Sequence, residues 1–184
     1  MPPRRLREPW RSFLRALDGH LSQPTALHCL GGFVIAEQYD LTRSTGDIDI
    51  LESRGTDPGT IARLAGKGSP LHERYRIYID IVGVATVPEG YERRLTTVFT
   101  GEFRRLRIRT FERHDLVLAK LERNSDRDRE DVERLARGPG LDVSILKSRY
   151  ERELRPLLGR PDREDLTLSL WCEIIEEVNK ERAT

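Results

Sequence analysis

The sequence predicts an α+β fold in which helices flank a small mixed sheet and the C-terminal half is helical. Three observations support this prediction. Short apolar runs near residues 25–30, 47–51 and 75–84 have the length and composition of buried strands. The segments between them have the apolar spacing of amphipathic helices. From residue 114 onward only helical patterns occur, so the sheet belongs to the first part of the chain.

The N-terminal elements follow from spacing and from a glycine pair. Residues 5–22 carry apolar side chains at helical spacing and predict a first helix with its arginines outward. A strand at 25–30 and a helix at about 32–40 follow. Gly31 and Gly32 stand between them, and glycines after a short apolar run are typical of a buried strand that ends in a tight turn.

The middle of the chain contains three further predicted strands. After the strand that starts at Asp47, a short helix is expected at 61–64. Residues 75–84 are apolar on both faces, which indicates a central strand. Another sheet segment is expected after residues 91–95. Residues 104–110 alternate arginines with apolar side chains and predict a half-buried strand.

The last third of the chain is predicted to be helical throughout. The expected helices span residues 114–123, 126–136, 142–153 and 165–181, and glycine and proline residues separate the later ones. A length of 184 residues fits a single structural unit. We expect it to consist of a core at residues 1–113 and a helical region at residues 114–184 packed on that core.

The charge distribution is balanced overall and uneven locally. The chain has 32 basic and 31 acidic residues, so it is not a general polycation. Residues 1–16 hold five arginines and one glutamate, whereas residues 162–184 hold seven acidic and three basic side chains. One side of the surface is therefore either basic and suited to a polyanion, or part of an ordinary mixed, solvated surface.

Cysteine usage and hydropathy bear on the cellular compartment. Cys29 and Cys172 lie in apolar segments without metal-ligand spacing and are predicted to be buried thiols of a reducing compartment. The N-terminus has no apolar leader, and no run of 18 apolar residues occurs. We therefore expect a cytoplasmic protein that does not bind a membrane.

The residues most indicative of chemistry lie in the strand that begins at Asp47. Side chains at i and i+2 of a strand share a face, so Asp47 and Asp49 should point together and Ile48 and Ile50 to the opposite face. Carboxylates so placed can bridge a pair of Mg²⁺ ions, which are hard cations that take oxygen ligands. The alternative is two exposed aspartates on a solvated strand.

The glycine pair upstream is compatible with a phosphate site. Without a Cβ, Gly31 and Gly32 would let a phosphate approach the backbone, and the N-terminus of the following helix favours an anion. The alternative is that the glycines only satisfy the sterics of the turn.

These features resemble the nucleotidyltransferase superfamily of the polymerase-beta-like type. Its pattern is a hydrophobic residue, Gly-Gly or Gly-Ser, a spacer, Asp-x-Asp, and a third carboxylate on a neighbouring strand. The chain is similar to small bacterial nucleotidyltransferase-like proteins of uncharacterised function, distantly related to abortive-infection toxins of toxin–antitoxin systems. Residues 39–49, 115–124 and 128–132 carry the likeness, which runs from about residue 10 to about residue 178. Asp40 stands where relatives tend to have glycine.

The resemblance implies a fold, a cofactor and a reaction. It implies a nucleotidyltransferase fold in which Asp47, Asp49 and Asp80 ligate two Mg²⁺ or Mn²⁺ ions and an NTP is the substrate. Asp80, the third carboxylate, is also a candidate to accept the proton of the attacking hydroxyl. RNA, such as a tRNA 3′ end, is the favoured acceptor, with a protein or a small molecule as alternatives. A cognate antitoxin is a further expected partner.

Several further side chains are candidates for contacts with phosphate. Arg43 and Thr45 precede Asp47 and could contact phosphate or simply shape the turn. Lys120 and Arg123 lie three apart on a predicted helix and therefore share a face. They are candidates for the β and γ phosphates of a triphosphate, where the superfamily often has a helix-borne lysine, or they are solvated side chains.

Two aspartates that follow these cations are expected to have a structural role. Asp128 and Asp131 share a helix face and are predicted to form surface ion pairs with Arg127 and to cap the helix that Ser125 begins. The resemblance alone would make them residues that orient Lys120 or Arg123.

A further basic feature is the face formed by Arg105, Arg107 and Arg109. Cationic strand faces hold nucleic-acid backbones without reading sequence, so this face is the best candidate for RNA. The alternative is a charged edge strand protected against aggregation. For the whole chain, the alternative to an enzyme is a binding module, such as an antitoxin-type partner, that keeps the fold without turnover.

Overall fold

The computed structural model describes residues 5–39, 45–83 and 85–183. The first part contains the helices α1 (Trp10–His20), α2 (Gly31–Gln38), α3 (Pro58–Ala65), α4 (Pro70–Tyr75) and α5 (Tyr91–Arg94). It also contains the strands β1 (Thr25–Leu30), β2 (Asp47–Arg54), β3 (Tyr78–Ile81), β4 (Thr96–Val98) and β5 (Leu106–Thr110). The last third contains α6 (Arg113–Leu118), α7 (Asp126–Arg137), α8 (Val143–Arg149) and α9 (Asp162–Ala183).

The five strands form one mixed sheet in the order β3-β2-β1-β5-β4. β1 runs antiparallel to β2 and parallel to β5, β2 runs parallel to β3, and β4 runs antiparallel to β5. The predicted α+β class, with a small mixed sheet flanked by helices, is therefore confirmed.

One face of the sheet is buried under helices and forms the main core of this part of the chain. Ile48, Ile50, Leu27 and Ile108 are fully buried there. The helix α1 buries the apolar stripe predicted for it, and Trp10 at its start packs edge-on against a phenylalanine of α2 with ring centroids 5.2 Å apart. The alternation in β2 thus leaves the aspartates on the opposite face.

The chain divides into two compact units. The first comprises Met1–Gly83 and Leu95–Phe111 and holds the sheet; the second comprises Val84–Arg94 and Glu112–Thr184. In the second unit α7 packs against α9, and Trp171 and Tyr150 are almost completely buried in its core.

Two strands occupy other positions in the sheet than expected. β3 is an edge strand, not a central one. Ile79 of β3 is buried, as is Ile77 just before the strand, while Asp80 is exposed, so the strand is half-buried. β5 lies between β1 and β4, so the interpretation of its arginines as the protection of an edge strand is wrong.

Several helix boundaries also differ from the predictions. The helix expected at 114–123 ends at Leu118, because the following N–H groups bond to carbonyls three residues back, as Lys120 does to Val117. The helix expected at 142–153 changes to a π-helical turn after Arg149. The helix α4 was not predicted, although Ser69 caps it and Pro70 opens it, a common start signal.

The remaining general expectations concern cysteines and the membrane. Cys29 and Cys172 are both buried free thiols, as predicted. Within the ranges that the structure describes, no helix is both long and apolar enough to cross a membrane.

Candidate functional site

Strand pairing brings together the three aspartates that the sequence singled out. In the parallel pair of β2 and β3, Asp49 is the register partner of Asp80, and Asp47 is the partner of Tyr78. Register partners point to the same face of a sheet, and so do residues two apart in one strand. Asp47, Asp49 and Asp80 therefore share the face opposite to the buried Ile48. Asp47 and Asp49 are half-buried, whereas Asp80 is exposed.

The pKa of Tyr78 reports the concentration of negative charge at this face. Burial raises the pKa of its phenol, and the charges of Asp47, Asp80 and Asp49, in that order, raise it further. A hydrogen bond with Asp47 acts in the same direction. Three carboxylates thus act on a single side chain. Tyr78 is not among the predicted site residues because its position beside Asp47 depends on the parallel pairing of two strands.

Thr45, two residues before Asp47, contacts the carboxylate of Asp47. Its hydroxyl donates a hydrogen bond of 2.5 Å to Oδ1 of Asp47. The sequence makes Thr45 a candidate for phosphate, and in this structure its hydroxyl orients Asp47. Arg43, the other candidate in this turn, lies outside the described residues.

Gly31 leaves the space that the carboxylate of Asp49 occupies. It is the first residue of α2, and its φ of 72° lies in the left-handed region that favours glycine. A Cβ built at this position would lie 1.9 Å from Oδ2 of Asp49. The glycine therefore allows the carboxylate to lie directly against the start of the helix. Gly32 is buried within α2.

The carboxylate oxygens at this face are suitable ligands for a hard divalent cation, although they do not surround a single position in this structure. Among the residues that the structure describes, no three His, Cys, Asp or Glu side chains are grouped closely enough to hold one metal ion. Neighbouring strands lie only about 5 Å apart, so the carboxylates of Asp49 and Asp80 can turn toward a shared ion. Carboxylate oxygens are the ligands that Mg²⁺ prefers.

Lys120 and Arg123 occupy a different environment from the one predicted. The ammonium of Lys120 is buried and donates to Oδ1 of Asp128 at 3.0 Å and to Oδ2 of Asp131 at 2.9 Å. The guanidinium of Arg123 donates to both oxygens of Asp128, at 2.8 and 2.6 Å. Both cations lie in the turn after α6, not on one helix face.

The prediction that Asp128 and Asp131 form surface ion pairs with Arg127 is therefore wrong. Both aspartates are buried, which favours partners that reach inward, as Lys120 does. The predicted cap is confirmed, since the Ser125 side chain accepts a hydrogen bond from the Asp128 N–H in a reciprocal capping box. Burial raises the pKa of Asp128, but its bonds and charge contacts with Arg123, Lys120 and Ser125 lower it well below the usual range.

We expect Lys120→Met to destabilise the protein by about 3 kcal/mol, because it leaves two buried carboxylates without their ammonium. Urea unfolding followed by circular dichroism measures this change. Lys147→Met, at an exposed position of α8, is the matched control and should change stability by less than about 0.5 kcal/mol. Equal stabilities of the two variants would show that the buried ion pairs do not contribute to the stability of the protein.

The three arginines of the proposed RNA face have separate surroundings. The carboxylate of Asp18 accepts hydrogen bonds from the backbone N–H groups of residues 104–106, and the positive charge of Arg105 acts on the same carboxylate. Arg107 is exposed, and its Nη1 donates to the carbonyl of Leu106 at 3.0 Å. Arg109 is half-buried. Arg107 is thus the member most accessible to a ligand.

The arrangement of sheet and aspartates is that of a nucleotidyltransferase-like protein. A family model described as "Nucleotidyltransferase of unknown function (DUF6036)" matches residues 11–179, and the chain belongs to this family. The match covers both compact units. Searches of curated proteins and of solved structures give no significant match. The family description identifies the class and leaves the reaction open.

Proposed function

We propose that this protein is a Mg²⁺-dependent nucleotidyltransferase that moves an NMP group from an NTP to an acceptor hydroxyl. The observation that carries this proposal is the register of β2 and β3, which places Asp47, Asp49 and Asp80 on one face. The Asp49 carboxylate also supports the proposal, because it occupies the space that a Cβ at residue 31 would fill. The left-handed backbone at Gly31 favours glycine by itself, and the close approach of the Asp49 carboxylate adds a second requirement for it.

Each residue has a defined part in the proposed reaction. Asp47, Asp49 and Asp80 would hold two Mg²⁺ or Mn²⁺ ions, which neutralise phosphate charge and lower the pKa of an attacking hydroxyl. Asp80 is exposed and is the candidate to accept the proton of that hydroxyl. Thr45 keeps Asp47 in place. The acceptor oxygen bonds to the α-phosphorus as the bond to the β-phosphate oxygen breaks, and pyrophosphate leaves.

Metal-dependent binding of the nucleotide tests this proposal. We expect Mn²⁺, followed by electron paramagnetic resonance, to bind the wild-type protein more tightly when a non-hydrolysable NTP is present. Asp49→Asn should remove this coupling, because the neutral amide does not balance the charge of the ion. Binding of the NTP that is indifferent to Mn²⁺ would contradict the proposal and favour the non-catalytic binding module.

RNA is the acceptor we propose, in a cytoplasmic setting and with a cognate antitoxin as regulator, by analogy with the toxin-like proteins that the sequence resembles. The arginines near β5 supply the positive charge for a phosphate backbone, and Arg107 among them is exposed. An RNA chain held in this way would be recognised by its phosphates and not by its bases. A protein hydroxyl is the second acceptor to test.

The joint replacement of Arg105, Arg107 and Arg109 by alanine should weaken RNA binding and flatten its salt dependence. Each lost phosphate contact lowers the slope of log K against log salt by roughly 0.7 for a single strand. Fluorescence anisotropy at several salt concentrations measures both quantities. The control replaces Arg127, Arg129 and Arg137, three exposed arginines of α7. The same slope in wild type and in the β5 variant would refute this RNA surface.

A further inference from the structure

Lys67 is an exposed cation next to the acidic face, the face of the sheet that carries Asp47, Asp49 and Asp80. It lies in the loop between α3 and α4. Its Nζ atom is 5.9 Å from the centroid of the Tyr78 ring. Tyr78 is also the residue on which the charges of the three aspartates act. A single aromatic side chain therefore connects the ammonium group with the proposed metal ligands.

The loop that carries Lys67 is held in place on both sides of that residue. The Gly66 N–H donates to the carbonyl of Ala62 at 2.8 Å, and the Ser69 N–H donates to the carbonyl of Gly66 at 3.0 Å. The Gly68 N–H donates to Nδ1 of His72 at 2.9 Å. The ring of His72 in turn packs edge-on against Tyr78, with 5.2 Å between centroids. The backbone of Lys67 is thus fixed relative to Tyr78, while its long side chain is free to reach.

The ammonium of Lys67 does not stabilise the fold through a polar contact with the described residues. In the ranges that the structure describes, it has no hydrogen bond or ion pair, and its contact with the Tyr78 ring is a cation–π contact at the limit of the usual distance. Lys120 and Arg123, the cations that the sequence favoured for the triphosphate, each contact buried aspartates in their own unit. Lys67 belongs to the same unit as the three aspartates.

Charge balance gives this lysine a function. Three aspartates and a triphosphate together carry more negative charge than two divalent ions neutralise, so the phosphates at the far end of the nucleotide require a further cation. A lysine ammonium is a compact charge with three donors and suits a terminal phosphate. We propose that Lys67 binds the β or γ phosphate of the NTP. This inference rests on the proposed function.

Equilibrium binding of a non-hydrolysable NTP and of the matching NMP tests this role in the presence of Mg²⁺. Lys67→Ala should weaken NTP binding by about tenfold, the effect of losing one charge-assisted hydrogen bond, and leave NMP binding unchanged. Lys67→Arg should recover part of the loss. Lys147→Ala, at an exposed lysine of the other unit, serves as the control and should bind both nucleotides like the wild type.

The outcomes separate this inference from the proposed function. If wild type and Lys67→Ala bind the NTP equally well, the Lys67 role is refuted and the proposed function stands. An equal loss for NTP and NMP refutes a contact with the β or γ phosphate. A loss of RNA binding alone assigns Lys67 to the acceptor and also overturns the inference. If the wild type binds no NTP, both proposals fail.

Discussion

Asp49→Asn should reduce nucleotidyl transfer at least about 10³-fold, on the order of 4 kcal/mol of transition-state stabilisation. Asp49 is central in the acidic face, between Asp47 in its own strand and Asp80 in the next. The asparagine has nearly the same size as the aspartate, so it should keep the packing against Gly31. The variant therefore removes a charged ligand and leaves the local structure intact. Initial rates of label transfer from an α-labelled NTP measure the effect.

The control for this experiment removes a carboxylate that has no part in the proposed site. Asp126 is 94% exposed at the start of α7, so Asp126→Asn should transfer at the wild-type rate. Unfolding curves of both variants should match that of the wild type within about 0.5 kcal/mol. A folded Asp49→Asn protein with undiminished transfer would exclude a metal-ligand role for this residue.

Gly31→Ala should reduce transfer at least about 100-fold, because displacement of a catalytic group by about 1 Å has effects of this size. The new methyl group would lie 1.9 Å from Oδ2 of Asp49, so the carboxylate must move. Alanine is also disfavoured at a φ of 72°, which should lower stability by about 1–2 kcal/mol. Transfer rates and urea unfolding measure the two effects.

Gly101→Ala separates the steric effect from the backbone effect. Gly101 also has a positive φ, of 84°, but a Cβ there would have nothing within 4 Å. This variant should lose similar stability and transfer nucleotide at the wild-type rate. Equal activities of Gly31→Ala and Gly101→Ala would mean that the contact between Gly31 and Asp49 is irrelevant to the reaction.

The acidic face was accessible from the sequence because it depends on local rules. Alternation within one strand places Asp47 and Asp49 on the same side, and two glycines after an apolar run indicate the turn into a helix. The close approach of Asp49 to Gly31 could not be predicted from the sequence. It depends on an antiparallel pairing that makes Leu30 the register partner of Asp49.

The surroundings of Lys120 and Lys67, in contrast, could not be predicted from local sequence rules. Lys120 and Asp131 are 11 residues apart in the chain, and their contact depends on how the turn after α6 meets α7. A lysine in a charged segment gives no sign in the sequence that it will be buried. The position of Lys67 could not be predicted either, since only the packing of the α3–α4 loop brings it to Tyr78, the register partner of Asp47.

The most direct test of the central claim is a labelling experiment. The purified protein is incubated with Mg²⁺, each α-³²P-labelled NTP in turn, and total cellular RNA and protein, with Asp47→Ala/Asp49→Ala as the control. We expect label in a single RNA species, from one preferred NTP, with the wild type alone. Label in a protein band would change the acceptor and keep the reaction. The absence of label in every fraction, from a folded protein that binds no NTP, would contradict the nucleotidyltransferase assignment.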